Sequence, residues 1–235
     1  AARPDKGESG SQATKDLEMD EAYLLAAISH MSGVGVGFEG GLSDAEINSV
    51  EARFRFTFPP DLRQLLQLAL PVEYRPFDRV GGRAAFPDWR SEGAKSLRER
   101  LNRPADGICF DIEHNHAWLD SFWGRRPARL GKAIAQARRE IGKAPKLIPV
   151  MGNGYLPGEP VEVGNPIFSV SQLDIIVYGL DLPDFLFHAF GVPDPRWNDH
   201  PPYGGHDPEL ERPIPFWGHV VELVRADYQA NHLPG

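Results

Sequence analysis

The sequence is short of the residues that most directly announce a function. Its 235 residues include one cysteine, Cys109. That excludes an intrachain disulfide and a zinc site built from several thiolates, and it points to a reducing compartment, with the cytoplasm as the expected location. Long apolar runs are missing as well: the longest uncharged stretch, Ala22 to Phe38, contains His30 and several glycines and falls short of a membrane span. Neither a signal peptide nor an anchor is evident. No Gly-x-Ser-x-Gly elbow, His-Glu-x-x-His helix, glycine-lysine phosphate loop or internal repeat is found. Glycine (24) and proline (22) are abundant, which favours short elements and many loops, and 41% hydrophobic side chains suffice for one sizeable core in a single elaborated domain.

Charge is unevenly spread. The formal net charge is −8, yet eight cations and one carboxylate between Arg125 and Lys146 give that window +7 and leave −15 on the rest. Leu130, Ala133, Ile134, Ala137 and Ile141 form an apolar stripe at helical spacing, with the cations outside it. A solvated basic helix face is the simplest reading. A nucleic-acid site is not expected, because the interleaved aromatics of a single-strand binder are lacking. The acidic remainder suits a basic partner, since complementary potentials steer association.

Residues 1–16 are polar and small, and are expected to form a flexible leader. Leu24, Leu25, Ile28 and Met31 predict a first helix, and the glycine-rich Gly33–Gly41 segment a loop, so that 17–41 is a helix followed by a loop. Ser43 and Glu46 form a capping box ahead of Ile47, Val50 and Phe54. A second amphipathic run carries Leu62, Leu65, Leu66 and Ala69, begins at Pro60 and Asp61, and closes at Pro71. Ile108–Asp120 reads as strands around a turn and Pro149–Pro160 as a connection. The segment 192–235 reads as a proline-rich extension followed by a closing helix over Phe216–Gln229.

The best-specified stretch is Gly164–Gly191. After a Gly164-Asn165-Pro166 turn, Ile167, Phe168 and Val170 alternate with Ser169 and Ser171 at strand period, and Ile175–Tyr178 reads as a mostly buried strand. Asp181 then caps a helix that tolerates Pro183 in its first turn and ends at Gly191 and Pro193. Leu182, Phe185, Leu186, Ala189 and Phe190 make one apolar face.

Catalytic readings are weak. Gly35-x-Gly37-x-x-Gly40 has the letters of a dinucleotide fingerprint but follows a helix pattern, and Phe58, Pro59 and Pro60 stand where the ribose-binding acid belongs. Asp111, Glu113, His114 and His116 are dense, yet in a strand Glu113 points away from both histidines, so no metal site is assigned. Cys109 lies between Ile108 and Phe110, the company of an inert buried thiol. Each of Trp89, Trp118, Trp123, Trp197 and Trp217 has core packing as its commoner role. Trp123 stands out because it adjoins Gly124, Arg125 and Arg126, the mixture enriched at binding hot spots.

Several short motifs carry a family resemblance: Leu42-Ser43-Asp44-Ala45-Glu46 with Phe58-Pro59 and the leucine run after it; Phe86-Pro87-Asp88-Trp89; Trp118 with Trp123-Gly124-Arg125-Arg126-Pro127; and Gly164-Asn165-Pro166 through Tyr178-Gly179. Over residues 42–191 the chain resembles the SUKH superfamily, which includes fungal regulators of cell-wall synthesis and bacterial immunity proteins. The resemblance implies an α+β fold, with a central, largely antiparallel sheet, packed helices and an open face or cleft for a protein partner. It implies no catalytic residue, cofactor or metal. The function it implies is direct neutralisation of a nuclease-type toxin, with regulation or scaffolding through the same cleft as the alternative and an unrecognised hydrolase or metal enzyme as a third class. Trp118, Trp123, Arg125, Asp174, Tyr178 and Asp181 are the candidate partner-binding residues, the partner a basic toxin domain, the protein a monomer or weak dimer, and no membrane is involved.

Overall fold

The computed structural model describes residues 19–74, 86–197 and 208–232. The leader expected over 1–16 lies outside the described residues, as does the part of the C-terminal extension between 198 and 207. Helix α1 (Glu21–Gly33) is capped by the Asp20 carboxylate, which accepts from Ala22 N at 3.0 Å. The glycine-rich segment after it is a correction to the expected loop: it holds β1 (Val36–Gly40), paired antiparallel with β2 (Ala69–Tyr74). Gly35 and Gly37 lie before and inside that strand, so the dinucleotide spacing makes no phosphate loop after a strand. Glycine is required at position 41, where a Cβ would fall 1.8 Å from the Gln67 carbonyl oxygen.

Helix α2 (Asp44–Phe54) carries the expected capping box: Ser43 N donates to Glu46 Oε2 at 2.7 Å and Glu46 N to Ser43 Oγ at 3.3 Å. The Arg90 guanidinium donates to Glu46 Oε1 at 2.6 Å and, with the Ser43 contacts, draws that carboxyl down to about 2. Helix α3 (Pro60–Leu68) buries Leu62, Leu65 and Leu66 and runs directly into β2.

The strands expected over Ile108–Asp120 are replaced by one long helix, α4 (Ala94–His114). Leu97, Pro104, Ile108 and Ile112 are buried on its inner side at spacings of seven and four, which a helix aligns and a strand does not. Pro104 interrupts the i→i−4 ladder because it has no N–H for the Arg100 carbonyl. The hydroxyl of the fully buried Tyr155, from across the core, donates to that carbonyl at 3.1 Å. After α4 come the single turn α5 (Asp120–Trp123) and α6 (Leu130–Ile141), which buries Ala133, Ala137 and Ile141 of its expected stripe, half-buries Ile134 and leaves Leu130 39% exposed.

The expected connection over Pro149–Pro160 is corrected to a hairpin, β3 (Leu147–Met151) with β4 (Gly154–Pro157). Pro149 is tolerated because β3 is an edge strand and can do without one ladder donor. β5 (Ile167–Ser171) and β6 (Asp174–Gly179) complete an antiparallel sheet in the order β3-β4-β5-β6. Helix α7 (Leu182–Phe190) is capped by Asp181 and stopped by Gly191 in the left-handed region, φ 73°. Short turns at Pro195–Trp197 and Pro208–Leu210 precede α8 (Trp217–His232).

The fold is α+β, a single domain whose four-stranded sheet separates two apolar clusters. Strand neighbours alternate between them: Ile148, Leu156 and Ile167 join α1, α2, α3 and α7 in the first, while Leu147, Tyr155 and Phe168 join α4, α6 and α8 in the second. Each fully buried side chain of this size contributes roughly 1.5–3 kcal/mol.

Candidate functional site

β6 runs through the expected candidate residues, and its burial differs from the expectation of a mostly buried strand. Ile175 and Val177 are 0% and 8% exposed, while Ile176 and Tyr178 are 44% and 39% exposed and Asp174 is open to solvent. The cause is position: β6 is the last strand of the sheet, α8 covers one of its faces, and on the other the first cluster reaches Ile167 of β5 and touches β6 through Phe185, whose ring lies 5.9 Å from that of Tyr178. Asp174, Ile176 and Tyr178 therefore form one exposed row, here termed the ledge. Ser171 and Ser169 stand opposite Asp174 and Ile176 on β5, and Ser169 Oγ accepts from Asn153 Nδ2 at 2.8 Å.

The tip of this hairpin is held from below by α4. Gly107 lets the helix approach, since a Cβ there would lie 3.0 Å from Gln172 Cα. One turn on, Asp111 Oδ2 accepts from Leu173 N at 2.9 Å and its Oδ1 from Asn115 Nδ2 at 2.6 Å. This acid of the Asp111–His116 cluster thus fixes the turn beside the ledge.

At the other end, Asp181 accepts from Asp184 N at 2.9 Å, and the fully buried Asp184 accepts from Leu180 N at 2.7 Å and meets His188 Nε2 at 3.2 Å. Arg196 donates to Asp181 Oδ2 and Oδ1 at 2.7 and 2.8 Å and also grips Asp194. Burial raises the Asp194 carboxyl, but its bonds to Arg196 outweigh that and leave it below the ordinary range. Tyr23 of α1 faces the same network, and burial, followed by the charges of Asp194 and Asp181, pushes its phenol upward. Asp181 is thus committed to capping and to an ion pair. Arg196 and Asp194 were missed in the sequence, although the Asp-x-Arg spacing was visible there.

A buried carboxylate lies nearby. Asp61, 0% exposed, accepts from Leu62 N at 2.8 Å through Oδ1 and from Gly164 N at 3.2 Å through Oδ2, tying α3 to the turn before β5. Burial raises its pKa to about 6, with a further push from the Asp181 charge.

Trp118, Trp123 and Arg125 lie away from the ledge. Trp123 belongs to the second cluster, across the sheet from Ile176 and Tyr178, and is 6% exposed. It anchors more than it presents: its ring meets Trp118 edge-on at 5.0 Å and stacks near Phe216 at 6.3 Å. Trp118 is half-buried and donates through Nε1 to Gly124 O at 2.6 Å. Arg125 is exposed.

The basic window divides into two sets. Arg126 donates to Ile112 O, Arg138 to Asp106, Arg139 and Lys143 to Glu140, and Lys146 to Phe54 O. The side chains of Arg125, Arg129 and Lys132 make no hydrogen bond or ion pair among the described residues. Between β5–β6 and the C-terminal segment is a cleft of about 840 Å³, with Phe168, Val177, Phe216, His219 and Arg225 among its walls. Among the described residues no group of three or more histidine, cysteine or acidic side chains could hold a metal ion, and no helix is long and apolar enough to cross a membrane. Cys109 is 5% exposed, and burial pushes its thiol pKa up, against thiolate chemistry. No protein-family model, curated protein or solved structure matches the chain.

Proposed function

We propose that this protein is a non-enzymatic binding domain of the SUKH type, an immunity protein that neutralises a nuclease-type toxin by direct contact with the ledge. The observation that carries the reading is the row Asp174, Ile176 and Tyr178, which combines two exposed apolar side chains with a carboxylate on an ordered strand. A soluble domain buries such side chains where it can, and a solvated row of them is the usual form of a protein contact. The charge of −15 outside the Arg125–Lys146 window supports a basic partner, which it steers toward the chain. The resemblance over residues 42–191 supports the toxin as the class of that partner.

The deciding experiment is co-purification with the products of neighbouring genes, together with rescue of cells that express any toxin domain among them. Ile176→Lys should abolish both while leaving the fold intact, because Ile176 lies in no core cluster, and Tyr178→Ala should abolish both while giving up the ring's contact with Phe185 at 5.9 Å. Failure of every neighbouring gene product to bind would sink the immunity reading. Salt should weaken the complex steeply, and a salt-insensitive complex would remove the electrostatic part of the argument.

A further inference from the structure

The second surface is built from Trp118, the α5–α6 loop and the start of α6, and it is independent of the ledge. Of the eight cations between Arg125 and Lys146, five are occupied by protein acceptors, and the three that are not stand together. Gln136 Nε2 donates to Trp123 O at 2.6 Å, which fixes one face of α6 against the end of α5. Lys132 and Arg129 precede Gln136 by four and seven residues and share that face. Arg125 follows Gly124, whose carbonyl receives the Trp118 indole N–H. Helix α6 also begins without a carboxylate in its first turn or a side-chain cap, so the positive end of its dipole adds to the three cations.

Aromatic rings complete this surface, and the sequence order conceals them. Phe122 is 37% exposed, and its ring lies 5.2 Å from Phe216 and 4.5 Å from His219, which are brought in from the far end of the chain. Phe216 and His219 in turn edge the cleft of about 840 Å³. The acidic groups facing the surface are few. Asp120 is in the same turn as Phe122, Glu222 lies 3.3 Å from His219, and Glu211 is paired with Arg225.

We infer that this surface, with Arg125, Arg129 and Lys132 beside Trp118, Phe122 and Phe216, binds single-stranded nucleic acid. Unoccupied cations attract phosphates, and the exposed Phe122 ring, with the half-buried Trp118 and Phe216 near it, offers aromatic surface to bases that a single strand leaves unstacked. A duplex hides those base faces, and a partner that offers charge alone leaves the rings unused. The sequence-based objection, that aromatics are not interleaved with the cations, is met in space by Phe122 and Phe216.

The test is fluorescence anisotropy with labelled oligo(dT) and oligo(U) of about 15 nucleotides, between about 20 and 200 mM salt. Wild-type protein should bind with a log–log salt slope of about −2, the value for three phosphates on a single strand. The triple variant Arg125→Ala, Arg129→Ala, Lys132→Ala should lose at least about tenfold in affinity. Phe122→Ala should lose about fivefold or more, and Leu25→Ala, at an exposed position of α1, should change nothing. Ultraviolet crosslinking of the unmodified protein to an iodouridine oligomer reads the same surface without relying on a variant's stability, and adducts should map to Trp118, Phe122 or Phe216. Absence of binding at low salt, adducts confined to other segments, or unchanged affinity in the triple variant would overturn the inference. So would full displacement by polyglutamate with Phe122→Ala neutral, because the surface would then read charge alone.

Discussion

Replacing Tyr155 by phenylalanine should cost the fold more than an ordinary hydroxyl. The Tyr155 ring is fully buried, and its hydroxyl donates to the Arg100 carbonyl at 3.1 Å. That carbonyl is the acceptor residue 104 would serve in an uninterrupted helix, and residue 104 is a proline without an N–H. Phenylalanine keeps the ring and leaves no cavity, so the effect isolates the stranded acceptor. A typical net hydrogen bond contributes about 1 kcal/mol, whereas a buried acceptor left without a donor costs about 1–3 kcal/mol; about 2 kcal/mol is expected here. Burial also pushes the Tyr155 phenol above its ordinary pKa, which keeps the hydroxyl a donor. In a Pro104→Ala background residue 104 regains its N–H and serves Arg100 O from within α4. There the Tyr155→Phe change should cost about 1 kcal/mol less, a coupling measurable by urea unfolding of the four proteins, followed by tryptophan fluorescence. Equal costs in the two backgrounds would refute the idea that the hydroxyl substitutes for the missing helix donor.

Asp61 carries a pH signature: its folded pKa of about 6 exceeds the ordinary 3.8, so the folded chain holds the proton more tightly and the group's contribution to stability declines as pH rises between those values, then levels off. Asp61→Asn removes that dependence, and the wild-type advantage should shrink by about 2.5 kcal/mol between about pH 4 and pH 7.5 in denaturant titrations; a constant difference would contradict the assignment. Arg196→Ala takes the guanidinium away from the Asp194 carboxylate, whose side chain is 3% exposed, leaves it the backbone N–H of residue 196, and should cost about 2 kcal/mol near neutrality after allowance for the exposed side of Arg196. Because the folded Asp194 pKa lies below its ordinary value, the stabilisation is present above that ordinary value and lost as pH falls through the depressed one; a penalty that grows in acid would be the wrong sign. Cys109 should label with a thiol reagent only as fast as the chain unfolds, and immediate stoichiometric modification of native protein would contradict its burial.

Local chemistry was legible in the sequence, and long-range coverage was not. Helix α7 is specified by its own residues: Asp181 caps it, Pro183 fits the first turn and Gly191 supplies the left-handed stop. The Ser43–Glu46 box started α2 in the same way. Helix α4 replaced strands expected over Ile108–Asp120, and its Pro104 and Gly107 are accommodated by residues distant in sequence: Tyr155 supports the one and the other makes room for Gln172. β1 exists because β2 arrives to pair with a glycine-rich segment of little strand propensity, and β3 keeps Pro149 because it lies at an edge. For the candidate site, Asp174 and Tyr178 were singled out by position, but the exposure of Ile176 depends on where the first apolar cluster stops. No local pattern encodes that limit. The same holds for Trp123, whose neighbours Gly124 and Arg125 are exposed while its own ring is enclosed by Phe216 and Trp118.

The support that α4 gives to the β5–β6 tip has a thermodynamic consequence. Gly107 and Asp111 hold Gln172 and Leu173 in place before any ligand arrives. A molecule that docks on Asp174, Ile176 and Tyr178 has little backbone entropy to remove, so its contact energy is not spent on ordering a loop. Docking there should be a single bimolecular step with no slow conformational phase. Its heat-capacity change should match rigid burial of the contacting surface, without the larger value that accompanies folding on binding. Loosening the tip through Asp111→Ala would add that ordering cost to every association at the ledge without changing any atom that touches the partner.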